Sequence, residues 1–444
     1  MTSLLVAPNP LPLLAFGVTV LAVLATGFAR RRPGATARTI AATGLVVAAA
    51  RSCDPGAMGL GAGWTPLFVA GALPFLALLP SAGEVAPALI ASSVLGMAVL
   101  AWARHLFALF LGLELMSLPL YLLLARQSRE RRTLEAALKY FFSGSLAAGL
   151  FLMGMALLYV STGSFSLDQA VPARPAAQLA LVLMGCAPLF KLAAFPLHFW
   201  LPDAYDAASP ELASFMSTSV KAAGALMLLK LSVALGPDSY LTWILPAVGA
   251  ATMTVANLLA LRQDSLHRVL AYSSMAHAGT LILLAGTGGE GALSATAVYL
   301  WIYLFMNAGA WLVLRAGGLR RVSDLRGLSA RRPILALLWA VVILSLAGIP
   351  PTGGFFAKLL VFLAALQADK PWAAAALALN GLLALGYYAR LVREAFLEAA
   401  PKEAPAAETE PPRLVPILVC VCALGALWLG LWAPAAVGVE AWLK

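Results

Sequence analysis

Charge is what this sequence lacks. Only 11% of its 444 residues are Asp, Glu, Lys or Arg, against about a quarter in a soluble domain, and that is too few to cover a water-facing surface. Cysteine and histidine are scarce too, with four of each. The cysteines are Cys53, Cys186, Cys420 and Cys422. Cys420 and Cys422 sit in an apolar run with no histidine or carboxylate nearby in sequence, so they read as inert thiols rather than metal ligands or disulfide partners. No Gly-rich phosphate loop, no GxGxxG after a strand and no nucleophile motif occurs, which leaves nucleotide and covalent chemistry without residues to perform it. The opening MTSLLVAPNPLPLL has no basic stretch before its apolar run, so it reads as a retained helix rather than a cleaved signal.

What the sequence has is grease. Hydrophobic residues make up 61% of the chain and mean hydropathy is +0.88. Apolar runs of about 20 residues recur along its length, as transmembrane helices require; short alternating strands, the mark of a barrel, do not appear. The expected fold is an all-α polytopic membrane protein of about fourteen spans, at 10–28, 39–51, 64–82, 86–103, 105–125, 136–160, 177–200, 212–234, 241–261, 267–285, 293–314, 334–364, 372–396 and 414–433. The net charge of +10 is unevenly distributed: twenty Lys and Arg lie in odd-numbered loops and four in even-numbered ones. The positive-inside rule therefore puts the odd loops in the cytoplasm and both termini on the outer side. One polar stretch, EAAPKEAPAAETEPPR from Glu398 to Arg413, reads as a flexible cytoplasmic linker before the last helix.

A few charges remain inside the spans. They are Lys139, Lys191, Lys221, Lys230 and Lys358, with Glu114 the one acid well within a span. A charge at mid-bilayer costs about 2.5–3.5 kcal/mol even on lenient scales, so each needs a partner, a wet cavity or a function. Glu114 is mid-helix in FLGLELMSLPLYLL, and Lys191 lies shortly before Pro196, which frees backbone carbonyls. Lys221 follows Ser217, Thr218 and Ser219, hydroxyls able to hold water; Lys358 follows a break at Gly348–Gly354 in LSLAGIPPTGGFFAKLL. Lys139, near a helix end, could snorkel or serve the same purpose, and Lys230 reads as a snorkelling anchor. His277, beside Tyr272, Ser273 and Ser274, and His198, beyond Pro196, are candidate relays.

The seventh and twelfth spans are both broken and both carry a lysine, before the break in one and after it in the other. They lie five spans apart in order and run in opposite directions. That pattern suggests two inverted five-helix repeats, the build of many ion-moving proteins. The expected organisation is residues 1–84 for three leading helices, 85–235 and 240–398 for the repeats, and 399–444 for the linker and last helix. A carboxylate that approaches or leaves a buried amine changes how tightly the amine holds its proton. Glu114 and Lys191 then read as a switch, with Lys221 and Lys358 as carriers.

The stretches LGLELMSLPLYLL, LEAALKYFFSGS, FKLAAFPLHFWLPDAYDAASP, STSVKAAG, RVLAYSSMAHAG, LRGLSARRPILAL and SLAGIPPTGGFFAK closely resemble the antiporter-like membrane subunits of the proton-pumping NADH–quinone oxidoreductase, respiratory complex I. Lysine at 221 and the short chain are similar to the N type. The resemblance implies fourteen helices and a proton channel in the membrane arm of a bacterial inner membrane. It gives roles in proton transfer to Glu114, Lys139, Lys191, Lys221 and Lys358. It also implies partners, the two other antiporter-like subunits and small membrane subunits, and puts FMN, the iron–sulfur clusters and the quinone site in other subunits, with no cofactor in this chain. The family commonly has Lys-Arg where this chain has His267-Arg268. A Na⁺/H⁺ antiporter or membrane-bound hydrogenase subunit is the first alternative; Lys221 argues against it. A static scaffold is the second, and the buried charges argue against that.

Overall fold

The computed structural model describes residues 17–19, 21–22, 33–52, 60–78, 85–167, 174–234, 241–399, 412 and 414–436. Most of the expected span at 10–28, Cys53 and the linker residues 400–411 lie outside them. The described residues are helical throughout, apart from turns and two isolated bridges. The elements are α1 (Pro33–Ser52), α2 (Leu60–Leu78), α3 (Val85–Trp102), α4 (Leu106–Ala125), α5 (Arg131–Thr162), α6 (Pro175–Leu192), α7 (Leu201–Ala207), α8 (Pro210–Phe215), a π-turn (Met216–Val220), α9 (Lys221–Ala234), α10 (Leu241–Ala260), α11 (Leu266–Ala285), α12 (Gly289–Gly317), a 3₁₀ turn (Val322–Leu325), α13 (Leu328–Arg331), α14 (Pro333–Ala347), α15 (Gly353–Gln367), α16 (Pro371–Phe396) and α17 (Leu414–Ala436).

Among the described residues nine helices are long and apolar enough to cross a membrane, and four shorter apolar ones include the two halves α14 and α15. Helix α11 falls outside both groups, yet every residue of it except Arg268 is buried. Its polar side chains are therefore covered by protein and need no lipid contact.

Helix ends follow local chemistry. Pro202, Pro210, Pro333 and Pro371 sit in first turns, where the missing N–H costs nothing. Helices α5, α12 and α14 stop at Gly163, Gly318 and Gly348, all with left-handed φ, the geometry of a C-cap.

The chain forms two compact units: Met1–Lys191 with Ser219–Leu241, and Leu192–Thr218 with Thr242–Lys444. Each contains the same local construction. In the first, Leu106 N–H donates to Phe165 O (2.8 Å) and Leu167 N–H to Arg104 O (3.0 Å), beside the bridge of His105 with Ser166. In the second, Leu266 N–H donates to Arg320 O (2.8 Å) and Val322 N–H to Asp264 O (2.9 Å), beside the bridge of Ser265 with Arg321. Close helix contact is also repeated. A Cβ on Gly112 of α4 would lie 2.7 Å from Leu100 N of α3, and one on Gly279 of α11 would lie 2.7 Å from Gly249 O of α10. Small residues at such crossings let backbones touch where no hydrophobic force drives association.

Gly279→Val should push α10 and α11 apart and cost about 1–3 kcal/mol, read by SDS unfolding of the purified protein. An unchanged unfolding midpoint would contradict the contact.

Candidate functional site

The second break shows why a greasy segment carries a lysine. Helix α14 ends at Gly348, whose N–H reaches Leu344 O and Ser345 O, both at 3.0 Å. Pro350 and Pro351 then forbid continuation, and α15 restarts at Gly353. Two seams join the halves. Gly354 N–H donates to Ser345 Oγ at 3.2 Å. Lys358 Nζ reaches back to Leu346 O at 3.1 Å and Ala347 O at 2.7 Å. A cation on the last carbonyls of a helix meets the negative end of its dipole. The lysine follows the break in sequence, but its ammonium sits on the half-helix before it.

At the first break α6 ends at Leu192, and Ala193 adopts a left-handed φ of 57°. Lys191 is in the last turn of α6 and 2% exposed. Its Nζ lies 3.3 Å from both Tyr121 Oη and Tyr140 Oη. It sits 4.8–5.5 Å from the ring centres of Tyr140, Tyr121 and Phe190, within range of cation–π attraction. Glu114, one turn before Ser117 and two before Tyr121 on α4, is half-buried and interacts with Lys191 through Coulomb attraction. The two form no contact ion pair among the described residues; the direct partners of Lys191 are phenols.

Lys221 is 1% exposed, and its Nζ has no hydrogen-bond partner among the described residues. It opens α9 directly after the π-turn, a widening often found at functional positions. The hydroxyls before it are already committed: Ser217 and Thr218 donate to Ser214 O, at 3.1 and 2.7 Å, and Ser219 donates to Phe68 O at 3.0 Å. Two other lysines have plain structural partners. Lys230, expected to snorkel, donates to Ala101 O and Ala103 O, both at 2.7 Å, closing the end of α3. Lys139 is 43% exposed and paired with Glu135 at 2.8 Å, one turn away on α5.

His277 belongs to a polar core in the second unit. Its Nδ1 is 2.6 Å from Tyr299 Oη and its Nε2 is 3.4 Å from Tyr388 Oη, which also bonds Ser273 Oγ at 2.5 Å. Tyr303 donates to Ser274 at 2.8 Å, and Asn257, Asn380 and Tyr387 form an adjoining cluster. A cavity of about 20 Å³ joins this group to Lys358, with His277, Asn257, Asn380 and Tyr388 in its wall. That is room for one water. His198, in the segment between α6 and α7, packs on Phe195 with ring centres 5.6 Å apart and is not part of this core.

The structure thus groups Glu114 with Lys191 and groups His277 with Lys358. Sequence reasoning missed the phenols and amides that serve them: Tyr121, Tyr140, Tyr299, Tyr388, Asn257 and Asn380. The i, i+4 repeat of Tyr299 and Tyr303 opposite His277 is the one signal that could have found some of them. The motif acids Asp203 and Asp206 have a different task. They hold Arg268 at 2.9 and 3.1 Å and fasten α7 to the start of α11.

An all-helical membrane chain with two interrupted helices and amines buried at or near the interruptions defines a class of ion-translocation subunit. Residues 103–384 match the family model for the transmembrane region of NADH:quinone oxidoreductase and Mrp antiporter proteins, and the chain belongs to that family. NADH-quinone oxidoreductase subunit N 1 of Koribacter versatilis is 38% identical over 382 residues, covering 80% of this chain and 73% of that protein. Subunit N 1 of Sorangium cellulosum is 39% identical over 385 residues, covering 80% and 75%. Among solved structures, a chain of respiratory complex I from Thermus thermophilus matches with a TM-score of 0.85 at 34% identity, covering 95% of this chain and 97% of that one. The Mrp complex of Dietzia sp. matches with a TM-score of 0.80 at 23% identity over 96% and 93%, a likeness of fold alone.

Lys230→Met should remove the cap on α3 and lower stability by about 1 kcal/mol, measured by SDS unfolding. Midpoints that do not move would show the two carbonyls to be satisfied otherwise.

Proposed function

We propose that this chain is the proton-translocating N-type subunit in the membrane arm of a bacterial NADH–quinone oxidoreductase. Its partners would be the other antiporter-like subunits and the small membrane subunits, which with the peripheral arm would supply flavin, iron–sulfur clusters and quinone chemistry. The chain would lie in the cytoplasmic membrane with both termini outside, as the loop charges favour.

The observation that carries the reading is Lys221. A buried amine with no protein acceptor is costly unless water reaches it, and a watered amine can take up and release a proton. A scaffold would gain nothing from it. Glu114 and Lys191 would act as the switch: the phenols hold the amine in place, while the carboxylate, which forms no contact ion pair with it among the described residues, would attract or release its charge by a change of distance. Lys358 and His277 would form the second carrier group, with Asn257, Asn380 and the tyrosines ordering the water between them. Lys139 and His198 would be accessory, at the ends of the route.

Lys221→Ala and Glu114→Ala should leave the complex assembled while NADH-driven acidification of proteoliposomes falls about 10²-fold, with coupled quinone reduction reduced in step. Full acidification in both variants, with assembly verified, would refute the carrier roles. Acidification replaced by sodium uptake would make the cargo Na⁺.

A further inference from the structure

The end of α14 leaves a recess on the flank of α16. A cavity of about 360 Å³ lies between Leu344, Ala347 and Ile349 at the break and Leu385, Ala389 and Val392 of α16. It continues along α16 to Arg393, Phe396 and Leu397. Apart from Arg393 and Tyr388, whose hydroxyl is committed to Ser273, its wall is aliphatic or aromatic. Residues 385, 389, 392 and 396 are spaced four, three and four apart, which sets them on one face of the helix. From Leu385 to Phe396 is roughly 16 Å of helix, close to half of a hydrocarbon core about 30 Å thick. The recess thus has the depth of one leaflet. Ala389, Phe396 and Leu397 are exposed, so it opens away from the protein.

The mouth lies at the end of α16 that loop charge assigns to the cytoplasm, and it is cationic. Exposed Arg393 has two carboxylates near it, Glu394 at 3.4 Å and Glu398 at 3.7 Å, both beyond a good N–H···O distance. Glu394 is held more closely by Arg326, at 2.9 Å. Arg331 donates to main-chain carbonyls, Asp324 O at 3.0 Å and Arg326 O at 2.7 Å, and meets no carboxylate among the described residues. The 3₁₀ turn and α13 pack on α16, and Gly327 N–H ties their junction to Glu398 O at 3.0 Å. Between residues 315 and 332 there are six arginines and one acid, Asp324. A loosely held guanidinium beside an apolar slot suits a ligand with a phosphate at one end and hydrocarbon at the other.

We propose that this recess binds one acyl chain of an anionic phospholipid of the cytoplasmic leaflet, with the lipid phosphate on Arg393. Arg326 and Arg331 add to the field that selects an anion. The chain's inner end lies against Ala347, whose carbonyl holds Lys358, and braces the end of the interrupted helix. The proposal uses the membrane placement in the functional reading above but not its proton chemistry.

The test uses the intact complex in nanodiscs of phosphatidylethanolamine with an equal fraction of either phosphatidylglycerol or phosphatidylcholine. Each added lipid carries a photoreactive diazirine near the end of one acyl chain. Peptide mass spectrometry should find label on residues 344–349 and 385–397, with phosphatidylglycerol about fivefold ahead, the preference expected of one arginine near a membrane surface. Arg393→Gln should abolish the preference and keep the phosphatidylcholine label. Ala389→Trp, which fills the recess, should abolish both labels. Equal labelling by the two lipids in the wild-type complex overturns the proposal. So does a recess without label, or a cryo-EM map in which a neighbouring subunit's side chain fills it. Should Ala389→Trp fail to assemble, the wild-type ratio and Arg393→Gln still decide. None of these readouts is pumping, so failure here and failure of the proton reading are told apart.

Discussion

An ammonium group cannot be left bare in an apolar interior, and most of this architecture follows from how each buried lysine is accommodated. Lys358, Lys230 and Lys370 take the same solution. Each rests on carbonyls at a helix C-terminus: Leu346 and Ala347, Ala101 and Ala103, and Gly286, respectively. The helix end gains a cation, and the cation gains carbonyls of the kind that a helix end leaves without intrahelical partners. Lys191 takes a second solution, two phenol oxygens and three aromatic faces. Lys221 has neither. The series runs from amines that are fixed parts of the frame to one that the frame surrounds without binding.

The breaks make these solutions possible. A continuous helix offers no free carbonyls in its middle; a helix stopped by Gly348, Pro350 and Pro351 exposes them in the interior of the protein. Ser345 and Lys358 then close the gap from opposite sides, one with a hydroxyl and one with an amine. The π-turn before Lys221 achieves a milder version of the same thing, with Ser217 and Thr218 bonding back to Ser214 O.

Much of this could be read in the sequence. The apolar runs, the interruptions at 193–200 and 348–352 and the unusual lysines each leave a mark in a single chain, because proline, glycine and charge are costly in a membrane helix and so stand out. Tyr121 and Tyr140 leave none: tyrosine is ordinary in membrane helices, and its service to Lys191 depends on helices whose partners are far apart in sequence. The position of Lys230 near a helix end suggests snorkelling, because depth along a helix says nothing about the end of α3 lying beside it. The π-turn at 216–220 has no sequence signal, since hydroxyl residues fit an α-helix equally well. The local construction shared by the two units, a backbone bridge before α4 and again before α11, is equally silent, because it uses main-chain atoms and different side chains, His105 and Ser166 in one and Ser265 and Arg321 in the other.

The staple at the second interruption has a mechanical side. The two bonds from Lys358 to the end of α14 are charge-assisted, roughly twice as strong as neutral ones, and the Ser345–Gly354 bond is a further tie across that joint. An amine that grips a half-helix cannot hand on its proton without slackening its grip. Discharge of Lys358 would leave its amine two N–H donors but reduce both bonds to neutral strength, easing movement of α15, a rod some 22 Å long, against α14.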